Sequence, residues 1–190
     1  MRDCKLDHMA GAVIWMTGLS GAGKSTLSDL LRQALLARRV FAIQIDGDAL
    51  RAGLCRDLGF TEEARTENIR RAAEVAKLLA DQGCVVIASF ISPLRAQREF
   101  ARATVGDSFI EVHVHCPLEE AILRDPKGLY KRAISGELAN FTGISSPYEA
   151  PMRPDVVVDT SILSKEECTA KLLGAVRSAT FGASYLDAGQ

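Results

Sequence analysis

The stretch Ala12-Val13-Ile14-Trp15-Met16-Thr17-Gly18-Leu19-Ser20-Gly21-Ala22-Gly23-Lys24-Ser25-Thr26 decides the fold. Its first five residues form a buried apolar run that predicts a strand, and Gly18–Ser25 is a full G-x-x-x-x-G-K-[ST] match. From Ser25 to Arg38 the spacing predicts a helix, with Leu27, Leu30, Leu31, Ala34 and Leu35 on one face. Strand, glycine-rich turn and helix in that order make a cradle for phosphate. The glycines let backbone N–H groups close around oxygens with no Cβ in the way. The helix start adds its dipole and its free N–H groups. Lys24 supplies a mobile charge for the β- and γ-phosphates and Ser25 a hydroxyl ligand for Mg²⁺. A nucleoside triphosphate with magnesium is the ligand this segment predicts.

Outward from that core, apolar β-branched runs alternate with helical patterns. Strands are expected at Val40–Ile45, Cys84–Phe90, Phe109–His115 and Val156–Val158. Helices are expected at Glu62–Asp81, capped by Thr61 and ended by Gly83, at Arg95–Ala103 and at Lys165–Arg177. The alternation predicts an α/β class: a P-loop NTPase fold with a five-stranded, mostly parallel sheet and helices on both faces. From Arg124 to Pro154 the rhythm breaks into Gly, Pro and basic residues, which reads as an inserted flap or lid. Residues 1–190 are expected to form one domain, with 1–10 and 178–190 as flexible ends.

Composition narrows the partners. Lys and Arg number 23 against 24 Asp and Glu, a net charge of −1, with 47% hydrophobic residues. A disordered chain would be less apolar and more charged, and a general nucleic-acid binder needs a strong positive excess. The longest apolar run, Val85–Ile91, is far short of a membrane span, and the segment Met1–His8 has no apolar core of a secretory signal. The five cysteines (4, 55, 84, 116 and 168) form no C-x-x-C pair. A cytoplasmic protein with reduced thiols, no nucleic-acid partner and no membrane is the expectation.

Acidic residues follow the second strand as Asp46-Gly47-Asp48, whereas the third ends in Ser89-Phe90-Ile91-Ser92 without a carboxylate. The chain has no base-reading N-K-x-D, so a switch GTPase does not fit. Carboxylates beside the phosphate loop suit a small-molecule kinase, where an acid meets both the metal shell and an acceptor hydroxyl. Arg51, Phe60, Arg65 and Asn68 follow, with Arg65 and Asn68 on one helix face turned from most of the apolar stripe. Two guanidiniums, an amide and an aromatic predict a planar, anionic acceptor.

Several of these segments, taken with others downstream, resemble the adenylyl-sulfate (APS) kinase family. They are GLSGAGKS at Gly18–Ser25, Asp46-Gly47-Asp48, Asp57-Leu58-Gly59-Phe60, Asn68-Ile69-Arg70-Arg71 and Phe90-Ile91-Ser92-Pro93, then Asp125-Pro126-Lys127-Gly128-Leu129-Tyr130, Asn140-Phe141-Thr142-Gly143-Ile144 and Pro147-Tyr148-Glu149-Ala150-Pro151. The resemblance covers nearly the whole chain and implies transfer of the γ-phosphate of ATP to the 3′-hydroxyl of APS, giving 3′-phosphoadenylyl sulfate (PAPS) in sulfate assimilation. It implies that Gly18 through Thr26, with Arg124 and Leu163, bind ATP, Arg124 and the Thr160–Leu163 segment at its base. It implies that Phe60 and Phe141 sandwich the APS adenine, and that Asp48, Arg51, Arg65, Asn68, Ile91, Ser92, Lys127 and Thr142 complete the acceptor pocket. Lys24, Asp48, Asp46 and Ser92 are the catalytic candidates. Ser25 is expected to hold Mg²⁺ directly and Asp46 through water. Where the family has Asn after Asp-Gly-Asp, this chain has Ala49. A homodimer and an association with ATP sulfurylase are the macromolecular partners the resemblance allows. Two other readings stay open on the residues alone: a small P-loop kinase for a different alcohol, and a nucleotide-binding regulatory module.

Three further features stand outside that scheme. Glu111, His113 and His115 alternate along one strand and share a face, a spacing a metal could use, though a half-exposed histidine pair fits better. Arg95, Arg98 and Arg102 recur along one short helix and are expected to face solvent. Arg124–Arg132 carries four basic residues against one acidic, so the positive charge of a nearly neutral chain concentrates on the flap.

Overall fold

The structure, a computed structural model, describes residues 11–180. Its strands are β1 (Ala12–Thr17), β2 (Ala42–Asp46), β3 (Val85–Ser89), β4 (Phe109–His115) and β5 (Val156–Asp159). They pair in the order β2-β3-β1-β4-β5, and every pairing is parallel. The helices are α1 (Lys24–Ala37), α2 (Gly47–Ala52), α3 (Glu62–Ala80), α4 (Arg95–Val105), α5 (Leu118–Arg124), α6 (Leu129–Ile134) and α7 (Lys165–Thr180).

Alternation along β1 shows how the layers form. All six of its residues are buried, because helices cover both faces of a central strand. Ala12, Ile14 and Met16 pack with Leu27, Leu31 and Leu35 of α1 and Leu172 and Val176 of α7. Val13 and Trp15 point the other way, into Ile69, Ala72, Ala73 and Ala76 of α3 and Ala101 of α4. The small alanines of α3 let that helix lie close to the sheet, and Trp15 fills the remaining space between Phe90 and Phe109. Among the described residues, no helix is long and apolar enough to cross a membrane.

The predicted elements are present with shifts of one or two residues at their ends; α7 runs on to Thr180. Of the segments expected as free ends, 178–180 continue α7, while 1–10 and 181–190 lie outside the described residues. Three short helices went unpredicted. Helix α2 follows β2 directly, with the Asp46 carboxylate accepting from the Asp48 and Ala49 N–H groups as its N-cap. Helices α5 and α6 are one or two turns each, too short for an apolar period to show.

Candidate active site

A cavity of about 800 Å³ opens at the carboxyl ends of β1, β2 and β3, where parallel sheets bind their ligands. Its floor is formed by the phosphate loop through Ser20, Gly21, Gly23, Lys24 and Ser25. Gly18, Gly21 and Gly23 have φ of 155°, 75° and 97°. At Gly18 a Cβ would come within 2.4 Å of the Val114 carbonyl oxygen, so the close approach to β4 needs glycine. Gly23 caps α1 in the left-handed conformation with no side-chain hydrogen bond, which leaves the first N–H groups of α1 facing the cavity for an anion. Lys24 Nζ donates to the carbonyls of Gly18 and Leu19, each at 2.8 Å. Burial lowers its pKa from 10.5 to about 8, partly opposed by Asp46.

Ser25 Oγ lies 3.4 Å from Asp46 Oδ2, the carboxylate oxygen that the α2 cap leaves free. Asp48 projects from the first turn of α2 and forms an ion pair with Lys127 of the flap, and this bond raises the Lys127 pKa. The flap is tied down behind Lys127. The Asp125 carboxylate accepts from the N–H groups of Tyr130 and Lys131, and Tyr130 Oη donates to the Ser20 carbonyl at 3.0 Å. On the far side, Arg124 donates to Thr160 Oγ1 and to the Thr160 carbonyl, while Thr160 Oγ1 donates to Ala22 O.

The opposite wall comes from α2, α3 and the flap. The Arg51 guanidinium lies 4.4 Å over the Phe60 ring and donates to the Gly59 carbonyl at 2.7 Å. Arg65 donates to the carbonyls of Phe60 and Asn140, which joins α3 to the flap. Burial depresses both arginine pKa values, and for Arg65 the Arg51 charge adds to it. Among the described residues neither arginine has a carboxylate within salt-bridge distance, so the pair is short of negative charge. Phe60 is 57% exposed, whereas Phe141 is buried with its ring edge-on to Tyr130. Asn68, expected on a polar face, is 4% exposed with Oδ1 unpaired at the cavity. A buried amide oxygen without a partner marks a place where a donor is missing.

Ser92 stands between the two walls. Its φ of 37° is a left-handed value rare for a serine and costs on the order of 1–3 kcal/mol. The residue is buried, and its Oγ accepts from Trp15 Nε1 at 3.3 Å. Thr17 Oγ1 donates to the neighbouring Ile91 carbonyl at 2.7 Å.

Residues 10–159 match the family described as adenylylsulphate kinase. The chain belongs to that family. The adenylyl-sulfate kinase of Shewanella amazonensis is 54% identical over 164 residues, 86% of this chain and 83% of that protein. The bifunctional enzyme NodQ of Rhizobium sp. strain N33 is also 54% identical, but this chain spans 25% of its length. Among solved structures, the Mycobacterium tuberculosis APS kinase CysC in complex with AMPPNP and APS superposes with a TM-score of 0.86 at 43% identity, covering 90% of this chain and 99% of that one.

Set against this kinase family, most of the expected site residues line one cavity: Ser20, Gly21, Gly23, Lys24, Ser25, Thr26, Asp46, Asp48, Arg51, Phe60, Arg65, Asn68, Ile91, Ser92, Arg124, Lys127, Phe141 and Leu163. Gly18, Leu19, Ala22 and Thr142 do not. Ala22 is fully buried, and Thr142 is buried with Oγ1 unpaired. Leu19 lines a separate, shallower groove with Leu118 and Ile144.

The expectation that Arg98 faces solvent is wrong. Arg98 is 3% exposed and pairs with the Glu111 carboxylate at 2.9 Å. Arg95 remains exposed, and Arg102 is half-buried against Asp155 at 2.6 Å. With Glu111 engaged by Arg98, His113 and His115 keep only each other and their neighbours; burial lowers the His113 pKa to about 4, so it is neutral at ordinary pH. Lys165 and Cys168 of α7 also line the cavity, and sequence reasoning missed them because no motif marks a helix that lies far along the chain from the loop and packs against α1.

Proposed function

We propose that the chain transfers the γ-phosphate of ATP to the 3′-hydroxyl of adenylyl sulfate, giving PAPS and ADP. The observation that carries this reading is one cavity with two unlike walls: a phosphate loop bearing Lys24, facing an aromatic and guanidinium wall short of negative charge. ATP lies with its phosphates in the loop and its base against Arg124 and Leu163. The acceptor adenine stacks on Phe60 and Phe141, its phosphosulfate meets Arg51, Arg65 and Lys127, and a donor from the nucleotide satisfies Asn68 Oδ1. A hydroxyl and a carboxylate oxygen 3.4 Å apart beside the phosphates are hard donors that fit Mg²⁺, with Ser25 as the direct ligand and Asp46 acting through water. That ion, when bound, neutralises charge on the β- and γ-phosphates.

The chain's own groups do the rest. Lys24 leaves the Gly18 and Leu19 carbonyls and follows the γ-phosphoryl as it moves. Lys127 gives up Asp48 for the incoming phosphosulfate, which frees the Asp48 carboxylate to orient the ribose 3′-hydroxyl and take its proton. The attacking oxygen bonds to phosphorus as the bond to ADP breaks. Ser92 binds acceptor rather than carrying phosphate: its Oγ already accepts from Trp15 and keeps a proton to donate. The flap, anchored through Tyr130 to Ser20, excludes water from the transfer.

The test is ATP consumption with APS as acceptor, and with adenosine, AMP and sugars as controls, together with identification of the nucleotide formed. PAPS formed only with APS supports the reading. Turnover that ignores APS, or its absence, overturns it. Substantial turnover by Ser92→Ala would exclude an obligatory phosphoserine.

A further inference from the structure

Arg98 has no part in the scheme above, yet it is a buried cation that joins three segments. Its Nε donates to Glu111 Oε1 at 2.9 Å, one terminal nitrogen to the Ser92 carbonyl at 2.6 Å, and the other to the Glu149 carbonyl at 2.6 Å. Ser92 belongs to the acceptor wall and Glu149 to the root of the flap, while Glu111 sits on β4, in register with Trp15 of β1. The two outer segments also bind each other. The Glu149 N–H donates to the Pro93 carbonyl and the Arg95 N–H to Glu149 Oε2, each at 2.8 Å.

Burying an ion pair is a poor way to gain stability, because desolvation offsets the attraction; a forked guanidinium that reaches three fixed acceptors gives geometry instead. The geometry needed here is unusual. Ser92 holds a left-handed φ of 37° that a serine leaves unless its surroundings hold it there. Its side chain has the Trp15 bond, and its carbonyl is gripped by Arg98.

We propose that Arg98, oriented by Glu111, is a positioning residue for the acceptor nucleotide: it holds the Ser92 backbone in its strained conformation and locks that wall to the root of the flap. The assignment of Ser92 to the acceptor rests on the proposed function; the clamp itself does not. The Arg98 hydrogen bonds go to Glu111, Ser92 and Glu149 rather than to the phosphate loop, so its loss acts on APS more than on ATP.

Two variants test this. Arg98→Lys keeps the charge but cannot reach three acceptors, and R98M/E111M removes the pair without leaving a buried charge alone, which protects folding. In each, KM for APS rises about tenfold while KM for ATP stays within about twofold of wild type. Ser92→Gly relieves the strain, so Arg98→Lys in that background costs less than in wild type. In the ligand-free variants, amide hydrogen exchange speeds up at Arg95 and Glu149, and amides of the β1–β3 ladder keep their rates. The proposal is overturned by parallel rises in both KM values, by unchanged KM for APS, by additive effects of the two substitutions, or by exchange that is unchanged or faster throughout β1–β3. If wild type fails to turn over APS, the proposed function falls, and the exchange result alone still decides the clamp.

Discussion

Eight consecutive residues, Gly18–Ser25, make the donor side of the cavity, and backbone gives that side its shape: three glycines at positive φ and a helix start with no side-chain cap. The acceptor side draws on four separate segments, the α2 region, the start of α3, the turn after β3 and the flap. Side chains reaching across long sequence gaps hold them in place: Arg65 to Asn140, Arg98 to Glu149, Lys127 to Asp48. One side is therefore preformed by local chemistry. The other is only as ordered as its tertiary contacts, and it includes the part that must open for a nucleotide to enter. Substitutions on the donor side should strike the chemical step or the fold, whereas those on the acceptor side should strike recognition of APS.

The largest effect is expected at Lys24. Lys24→Met removes the charge that follows the γ-phosphoryl, and kcat should fall about a thousandfold. Steady-state kinetics check this; a fall in APS affinity with kcat intact would dissolve the distinction between the walls. Asp48 lies at the seam. Asp48→Asn should lower kcat about a hundredfold, with ATP affinity changed far less, since the amide can still orient but cannot take a proton. Equal losses in turnover and ATP binding would remove Asp48 from the proton-transfer role.

Next in size is a purely structural probe of the donor side. Gly18→Ala sets a Cβ 2.4 Å from the Val114 carbonyl oxygen, closer than any Cβ contact can remain, so β1 and β4 must shift. A loss of about 2 kcal/mol is expected, lowering Tm by roughly 4–8 °C for a chain of this size, and ATP binding with it. Thermal unfolding and nucleotide titration check both; an unchanged Tm would mean the loop yields more easily than its packing suggests. Smaller again is Phe60→Ala. Losing one stacking face should raise KM for APS about tenfold and leave KM for ATP alone, as base–aromatic stacking is worth ~1–3 kcal/mol. A matching rise for ATP would mean that Phe60 shapes the whole cavity.

The same contrast explains what could be read in advance. The donor loop is legible because its geometry is a property of neighbouring residues: glycine at fixed offsets, then a lysine and a hydroxyl, after an apolar run and before an amphipathic helix. The three inner strands are legible for a similar reason, since burial on both faces forces continuous apolar runs such as Val85–Ile87. Arg98 was misread because its spacing is that of a solvated helix face: arginines at 95, 98 and 102 recur at helical intervals. Only β4, the turn after β3 and the root of the flap, brought together in three dimensions, bury it. Asn68 shows the same limit. Its offset from Arg65 placed it on the polar face, yet the cavity wall closes over it and leaves Oδ1 unpaired. Helix α2 was hidden by length, because six residues capped by Asp46 carry no period to detect.

The smallest effect expected is a fraction of a proton, and it probes the donor side without changing a residue. Lys24 carries a pKa lowered to about 8 from 10.5, chiefly because burial disfavours its charge, with Asp46 opposing and Lys127 assisting. A lysine whose folded pKa lies below its unfolded value binds fewer protons in the native state, so its contribution to ligand-free stability rises with pH between about 8 and 10.5. Triphosphate oxygens reverse the environment by placing negative charge beside the ammonium, which raises its pKa. At about pH 8.5 ATP binding should therefore take up protons, and at about pH 7, where Lys24 is already charged, the uptake should nearly vanish. Calorimetric titration in two buffers of different ionisation enthalpy measures the difference. Lys24→Arg, charged throughout this range, should abolish it. Binding enthalpy independent of buffer at about pH 8.5 would mean that the loop carbonyls already hold Lys24 as a full ammonium. The donor side would then be preformed in charge as well as in shape.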